Sequence, residues 1–214
     1  MQSVFTDCPH REKLGWLEQV HLNGPGLLYN YDLTAYAPQI MQNMVDAQHS
    51  NGAMPTTAPE YVIFEGPGMD AFAESPEWGG SLVIFPFMYY ETYGDDSLIK
   101  KYYPNMRRYV DYLKTRADKG ILSFGLGDWY DYGDFRAGFS RNTPVPLVAT
   151  AHYYMTVMYL VQAAKMVGND FDIHYYTSLA QDIMAAFNKY FLHKDTAQYG
   201  TCLLYTSPSP RDPK

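Results

Sequence analysis

Apolar residues recur along most of this chain at three- and four-residue intervals, the spacing of helices that bury one face. Tyr36, Ile40, Met44 and Ala47 place such a face in a helix predicted over 32–48. Met106, Val110 and Leu113 do the same in a helix that Asp95 or Asp96 caps and that runs to about Ala117. Tyr175, Leu179, Ile183 and Phe187, four apart, predict a last helix over 171–192. Ser75-Pro76-Glu77 reads as a helix start, because Ser caps, Pro suits the first turn and Glu favours the positive N-terminal end. That helix is expected to kink at Pro86 and to stop at Gly94. Thr143-Pro144 opens another, to about Gly168, while a helix over 20–31 is interrupted by Asn23-Gly24-Pro25-Gly26. Strand alternation is confined to short stretches near 61–64 and 121–124. The pattern predicts an all-α protein built of helical hairpins.

The connections are uneven, and the long ones hold the unusual residues. The segments 51–74 and 119–143 are rich in Gly, acids and aromatics, and all three Trp lie in or beside non-helical text: Trp16, Trp78 and Trp129. Hairpins arranged in a ring, with their loops forming a pocket at one end, would bring the three together.

Composition narrows the classes. With 47% hydrophobic and 18% charged residues, the 214-residue chain is globular and buries much of its surface. The net charge of −7, without any Lys/Arg block, argues against a nucleic-acid partner. No apolar run reaches membrane-spanning length; 82–90 is too short and contains Pro86, so no membrane association is expected. Met1 is followed by polar residues rather than a leader pattern. Cys8 and Cys202 give no disulfide framework, so the compartment is not readable from the residues. The 21 Tyr and 11 Phe can pack helical cores or stack on the C–H faces of sugars.

The densest chemistry lies in Asp7-Cys8-Pro9-His10-Arg11-Glu12-Lys13-Leu14-Gly15-Trp16. Glu12 is a candidate proton donor, although its neighbours Arg11 and Lys13 favour the ionised form; the alternative is an exposed acid at a helix start. Asp128-Trp129-Tyr130-Asp131, between Gly127 and Gly133, is either a polyol-binding acid-plus-ring pair or a turn. Glu77-Trp78-Gly79 is similar, with Glu77 open to a role at the helix end alone. His10, His21 and His49 lack ligand spacing and there is no CxxC, so no metal is expected. Cys8 reads as a packed thiol. Gly66-Pro67-Gly68 is not a phosphate loop, and no cofactor is expected. His152, beside Tyr153 and Tyr154, is open between core and pocket lining.

The opening stretch resembles the DCPxRE(R/K)xGW signature of bacterial α-L-rhamnosidases of glycoside hydrolase family 78. Glu77-Trp78-Gly79-Gly80, Tyr93-Gly94-Asp95 and Gly127-Asp128-Trp129 are similar to later segments of that family in the same order, and Val148–Tyr154 is similar to the helix that follows. The resemblance implies an (α/α)6 toroid, here incomplete, and inverting hydrolysis of terminal α-L-rhamnosides. It matches Glu12 to the general acid, Asp7, Arg11 and Trp16 to residues around the sugar, and Trp78 and Trp129 to its aromatic walls, with Asp128 of the same segment as Trp129 also expected to bind substrate. The signature has an acid three residues after the Trp; here Gln19 stands there, beside Glu18, able to bond a hydroxyl but not to carry charge. Inversion needs a second carboxylate about 6.5–9.5 Å across the sugar; no match for the family's base is found, so this stretch is expected to be inactive alone. The partners implied are rhamnose-containing glycosides, oligosaccharides or polysaccharides, and a periplasmic or secreted bacterial location. Another inverting glycosidase on the same barrel, or a non-catalytic sugar-binding protein, would show the same residues.

The text from Cys202 onward has no helical spacing and looks like the translation of a sequencing-library adaptor. The catalytic domain is therefore expected to occupy 1–201, in part, with 202–214 non-biological.

Overall fold

The amphipathic periods become helices where they were strongest. The structure, a computed structural model, describes residues 4–199, so the stretch from Cys202 lies outside the described residues. The helices are α1 (Leu17–Leu22), α2 (Gly24–Asn30), α3 (Ala37–Ala47), α4 (Asp70–Ala73), α5 (Pro76–Gly79), α6 (Ser81–Tyr93), α7 (Ser97–Arg116), α8 (Val145–Val167) and α9 (Asp170–Phe191). Two small antiparallel pairs complete the described residues: β1 (Asp131–Gly133) with β2 (Phe135–Gly138), and β3 (Leu192–His193) with β4 (Gln198–Tyr199).

Burial assigns each helix its place. In α6 the residues from Ser81 to Phe87 are buried without a break, so this helix is enclosed on all sides. In α7 a stripe of Leu98, Tyr102, Met106, Tyr109, Val110 and Leu113 is buried, while Lys100, Lys101, Arg107, Arg108 and Lys114 face out. Hence α7 covers α6 and α8 from outside, and α9 packs along α8 as the next hairpin. This is the helical-hairpin architecture expected from the spacing.

Several expectations are corrected. Residues 61–64 form no strand; Tyr61 and Ile63 are exposed. Ile121 makes only an isolated bridge to Asp118, whereas the strands of this region fall at 131–138. The buried face of α9 is Asp172, Tyr176, Ala180 and Ile183, one residue out of phase with the expected Tyr175 and Leu179, because Tyr176 donates a hydrogen bond to Asp111 at 2.7 Å. The helix expected from Ser75 to Tyr93 is broken at Gly80, and Pro86 lies within α6. Ser75 makes no cap; its hydroxyl donates to Glu77 Oε2 at 2.5 Å, and its oxygen accepts from the Leu126 amide at 2.8 Å.

The acid-rich opening is not a helix start. Residues 4–16 run as turns with Cys8 (φ 47°) and Lys13 (φ 60°) in the left-handed region, and α1 begins only at Leu17. This loop is stapled to the segment 56–58. The Ala58 amide donates to the Gly15 carbonyl at 2.9 Å, and the Leu17 amide donates to the Thr56 carbonyl at 2.8 Å. The fit leaves no room for a side chain at Gly15, where a β-carbon would meet the Ala58 carbonyl oxygen and come within 2.8 Å of Val4 Cγ1. Gly15→Ala is expected to cost about 1–3 kcal/mol, measured by denaturant unfolding, and to lower sugar affinity by shifting the loop.

Candidate active site

The opening loop, α1, the short α5 and the loop before β1 converge on one cleft of about 510 Å³. Its lining includes Asp7, Arg11, Glu12, Trp16 and Gln19 from the start of the chain, Trp78 from α5, and Trp129. Seven of the eight candidate residues are thus gathered in one place, although they come from segments far apart in sequence. The exception is Asp128, which is exposed and outside the lining; its charge is nevertheless felt at Glu18 within the cleft.

One wall is aromatic. Trp16 stacks on Phe64 (centroids 5.4 Å apart, planes at 23°) and meets the edge of Phe72 at 6.4 Å. Phe72 in turn meets Trp129 at 5.2 Å and 81°, and Trp129 packs edge-on to Phe139 at 5.3 Å. Such edge-to-face contacts lock rings without hydrogen bonds. They leave ring surface of Trp16, Phe72 and Trp129 turned to the cleft, the apolar half of a carbohydrate site.

The polar half is carried by carboxyls. Glu12 reaches back along the turn so that Trp16 Nε1 donates to its Oε2 at 2.7 Å, while Arg11 lies 3.7 Å from its Oε1. Arg11 also donates to Cys8 Sγ at 2.9 Å, and the Cys8 thiol faces Asp7 Oδ1 at 3.4 Å. Cys8 is therefore a half-buried linker within the loop, in line with a packed thiol. Glu12 sits at the rim with its side chain 41% exposed, open to a leaving-group oxygen entering from solvent. Gln19 is tied to Asn23, one turn along.

Glu18 also lines the cleft and was not singled out by the sequence. Burial raises its carboxyl to about 7, reinforced by the charges of Glu77, Asp128 and Asp7. Leu22, Phe72 and Leu126 are further lining residues without a sequence signal, whereas Tyr130 belongs to the 128–131 segment that the sequence offered. Behind the cleft, Asp131 is a structural acid rather than a ligand. It accepts the amides of Arg141 and Asn142, each at 2.7 Å, and that of Tyr132 at 2.8 Å, which hold its carboxyl below the usual range and fix the base of the β1–β2 hairpin.

A buried polar layer lies below. Ser81 donates its one hydroxyl proton to the Leu17 carbonyl at 2.5 Å, so His21 Nδ1, also 2.5 Å from Ser81 Oγ, must carry the proton of that pair. His152 faces His21 with ring centroids 6.1 Å apart, and burial lowers both imidazoles to about 4, the neutral state. His152 is thus a half-buried residue of this inner layer, not part of the cleft lining. Among the described residues no group of three or more His, Cys, Asp or Glu is placed to hold a metal ion.

Glu77, 2% exposed, has Oε1 without a partner, and burial lifts it to about 7 against the pull of Ser75 and the Glu77 and Gly127 amides. Its role is therefore more than marking a helix end. The folded protein keeps a proton on Glu77 that the unfolded chain releases above about 4.5, so this residue costs stability as pH rises from about 4.5 to 7, then no further. His21 and His152 act with the opposite sign between about 4 and 6.5. Glu77→Gln, which still accepts from Ser75, isolates the first effect. Its stability relative to wild type should rise from pH 4.5 to 7 and then level off; thermal unfolding across that range checks it, and parallel curves would refute it.

Helical hairpins packed side by side thus carry an acid-bearing aromatic cleft where α1 and α5 meet the opening loop. The chain belongs to the family described as the bacterial alpha-L-rhamnosidase 6 hairpin glycosidase domain, whose model matches residues 1–206. It is 30% identical over 200 residues to an alpha-L-rhamnosidase of Formosa agariphila, covering 90% of this chain and 21% of that protein. The fold superposes on the alpha-L-rhamnosidase of Dictyoglumus thermophilum with a TM-score of 0.81 and 29% identity, covering 91% of this chain and 21% of the other. It also superposes on the Streptomyces avermitilis alpha-L-rhamnosidase complexed with L-rhamnose, with a TM-score of 0.76 and 27% identity, covering 90% and 17%. The chain therefore spans about a fifth of the length of the curated relatives it matches.

Proposed function

We propose that this chain supplies the proton-donor wall of an inverting α-L-rhamnosidase active site, with Glu12 as general acid. The observation that carries this reading is the convergence of Glu12, at the rim, with Trp16, Phe72 and Trp129 in one cleft of a rhamnosidase-family domain. A terminal rhamnose stacks its C–H face on the rings, while Asp7, Arg11 and Gln19 meet its hydroxyls. Glu12 protonates the glycosidic oxygen as the bond to the anomeric carbon breaks. Water attacks from the opposite face, activated by a carboxylate about 6.5–9.5 Å from Glu12. That base is supplied by residues other than those assigned here, so the chain alone is expected not to turn over substrate.

The test is hydrolysis of a panel of aryl glycosides by an enzyme of the relatives' length that carries this domain. Release from the α-L-rhamnoside, with the β-anomer of rhamnose appearing first in proton NMR, supports the reading. Preference for another sugar, or release of the α-anomer, overturns it.

A further inference from the structure

Glu18 is the one carboxyl of the cleft lining that the proposed reaction leaves unused. It sits on the first turn of α1 and lines the cleft together with Trp16, Gln19 and Trp78. Its carboxyl makes no hydrogen bond and no ion pair among the described residues. The neighbouring charged and imidazole groups do not answer it. Glu77, Asp128 and Asp7 oppose it as acids. Arg11, the cation of the lining, is occupied by Cys8 and by the rim acid Glu12. His21, on the same helix, is turned into the buried layer against Ser81 and His152. A half-buried carboxyl facing an open cleft without a protein partner is a group waiting for a ligand.

We propose that Glu18 is a substrate-positioning residue whose carboxyl grips a hydroxyl of the bound sugar. The inference rests on the reading of the cleft as a rhamnoside site. Burial among acids keeps the proton on Glu18 up to about pH 7, so at or below neutrality it donates to the sugar hydroxyl oxygen. Above that pH the carboxylate accepts instead, and it must then share the cleft with the charges of Asp7, Asp128 and Glu77. Grip on the sugar should therefore weaken as pH rises through 7. Glu18 takes no part in bond cleavage, so its effect belongs in KM.

The experiment compares wild type, Glu18→Ala and Glu18→Gln in a rhamnosidase of the relatives' length carrying this domain, with an aryl α-L-rhamnoside at pH 5.5–8.5. Glu18→Ala is expected to raise KM by about 10- to 100-fold with kcat within a few-fold. Glu18→Gln, a neutral donor of nearly the same shape, should restore KM to near wild type and remove its rise above pH 7. Both should unfold at or above the wild-type temperature, since an unpartnered carboxyl has been removed; Glu18→Gln alone decides the matter if Glu18→Ala fails to fold. An unchanged KM in Glu18→Ala, or a collapse of kcat in Glu18→Gln, overturns the positioning role. A wild type that cleaves no rhamnoside overturns the functional reading of the cleft instead.

Discussion

Glu12→Gln is expected to lower kcat on α-L-rhamnosides by about 10²–10⁴-fold in an enzyme that carries this domain. The substitution is conservative for the fold. Glu12 stands at the rim, and Gln still offers an oxygen to Trp16 Nε1, which donates to Glu12 Oε2 at 2.7 Å in the wild type. What is lost is the proton. The deficit should therefore depend on the aglycone: an aryl oxygen leaves with little assistance, whereas an alkyl or sugar oxygen needs protonation. Steady-state kinetics on a nitrophenyl and an alkyl rhamnoside check this, with the larger loss expected on the alkyl substrate. Equal small losses on both would remove Glu12 from the chemistry.

Trp78→Ala is expected to have the largest effect on stability, about 3–5 kcal/mol. Trp78 is 2% exposed and belongs to the buried core while also touching the cleft, so its removal opens a cavity directly under the sugar site. Trp129→Ala provides the contrast. Trp129 is only partly buried and is held by edge contacts to Phe72 and Phe139, so truncation should cost less stability and more sugar affinity. Urea unfolding of the two variants separates floor from wall; equal losses would contradict that division.

The helices that were legible in the sequence are those with one clear apolar stripe. α7 is the best example, because its exposed face carries Lys and Arg at every turn. The face of α9 was not legible, because adjacent tyrosines compete for burial. The choice falls to Tyr176 through a hydrogen bond to Asp111 on another helix, which periodicity cannot see. The cleft was partly legible because Trp16 and Trp129 lie outside the helices, beside acids, although Trp78 turns out to belong to the packed core as well. Glu18 was not legible, since an acid on the first turn of a helix reads as solvated; its raised carboxyl comes from burial and from the charges of Glu77 and Asp128, distant in sequence. Phe72 gave no signal in an acid-rich loop, and only the fold sets it between Trp16 and Trp129. The opening motif named residues that the fold gathers at the cleft, and the alternative of an acid at a helix start does not describe its backbone. Positive φ at Cys8 and Lys13 makes it instead a loop that carries Glu12 to Trp16.

The central claim is that this cleft holds the rhamnose ring with Glu12 at the scissile bond. A crystal structure of an enzyme carrying this domain with an uncleaved α-L-rhamnoside bound tests it most directly. The sugar is expected against Trp16, Phe72 and Trp129, its glycosidic oxygen within about 3 Å of the Glu12 carboxyl. A rhamnoside bound elsewhere, or bound here with another carboxyl at its glycosidic oxygen, would contradict it.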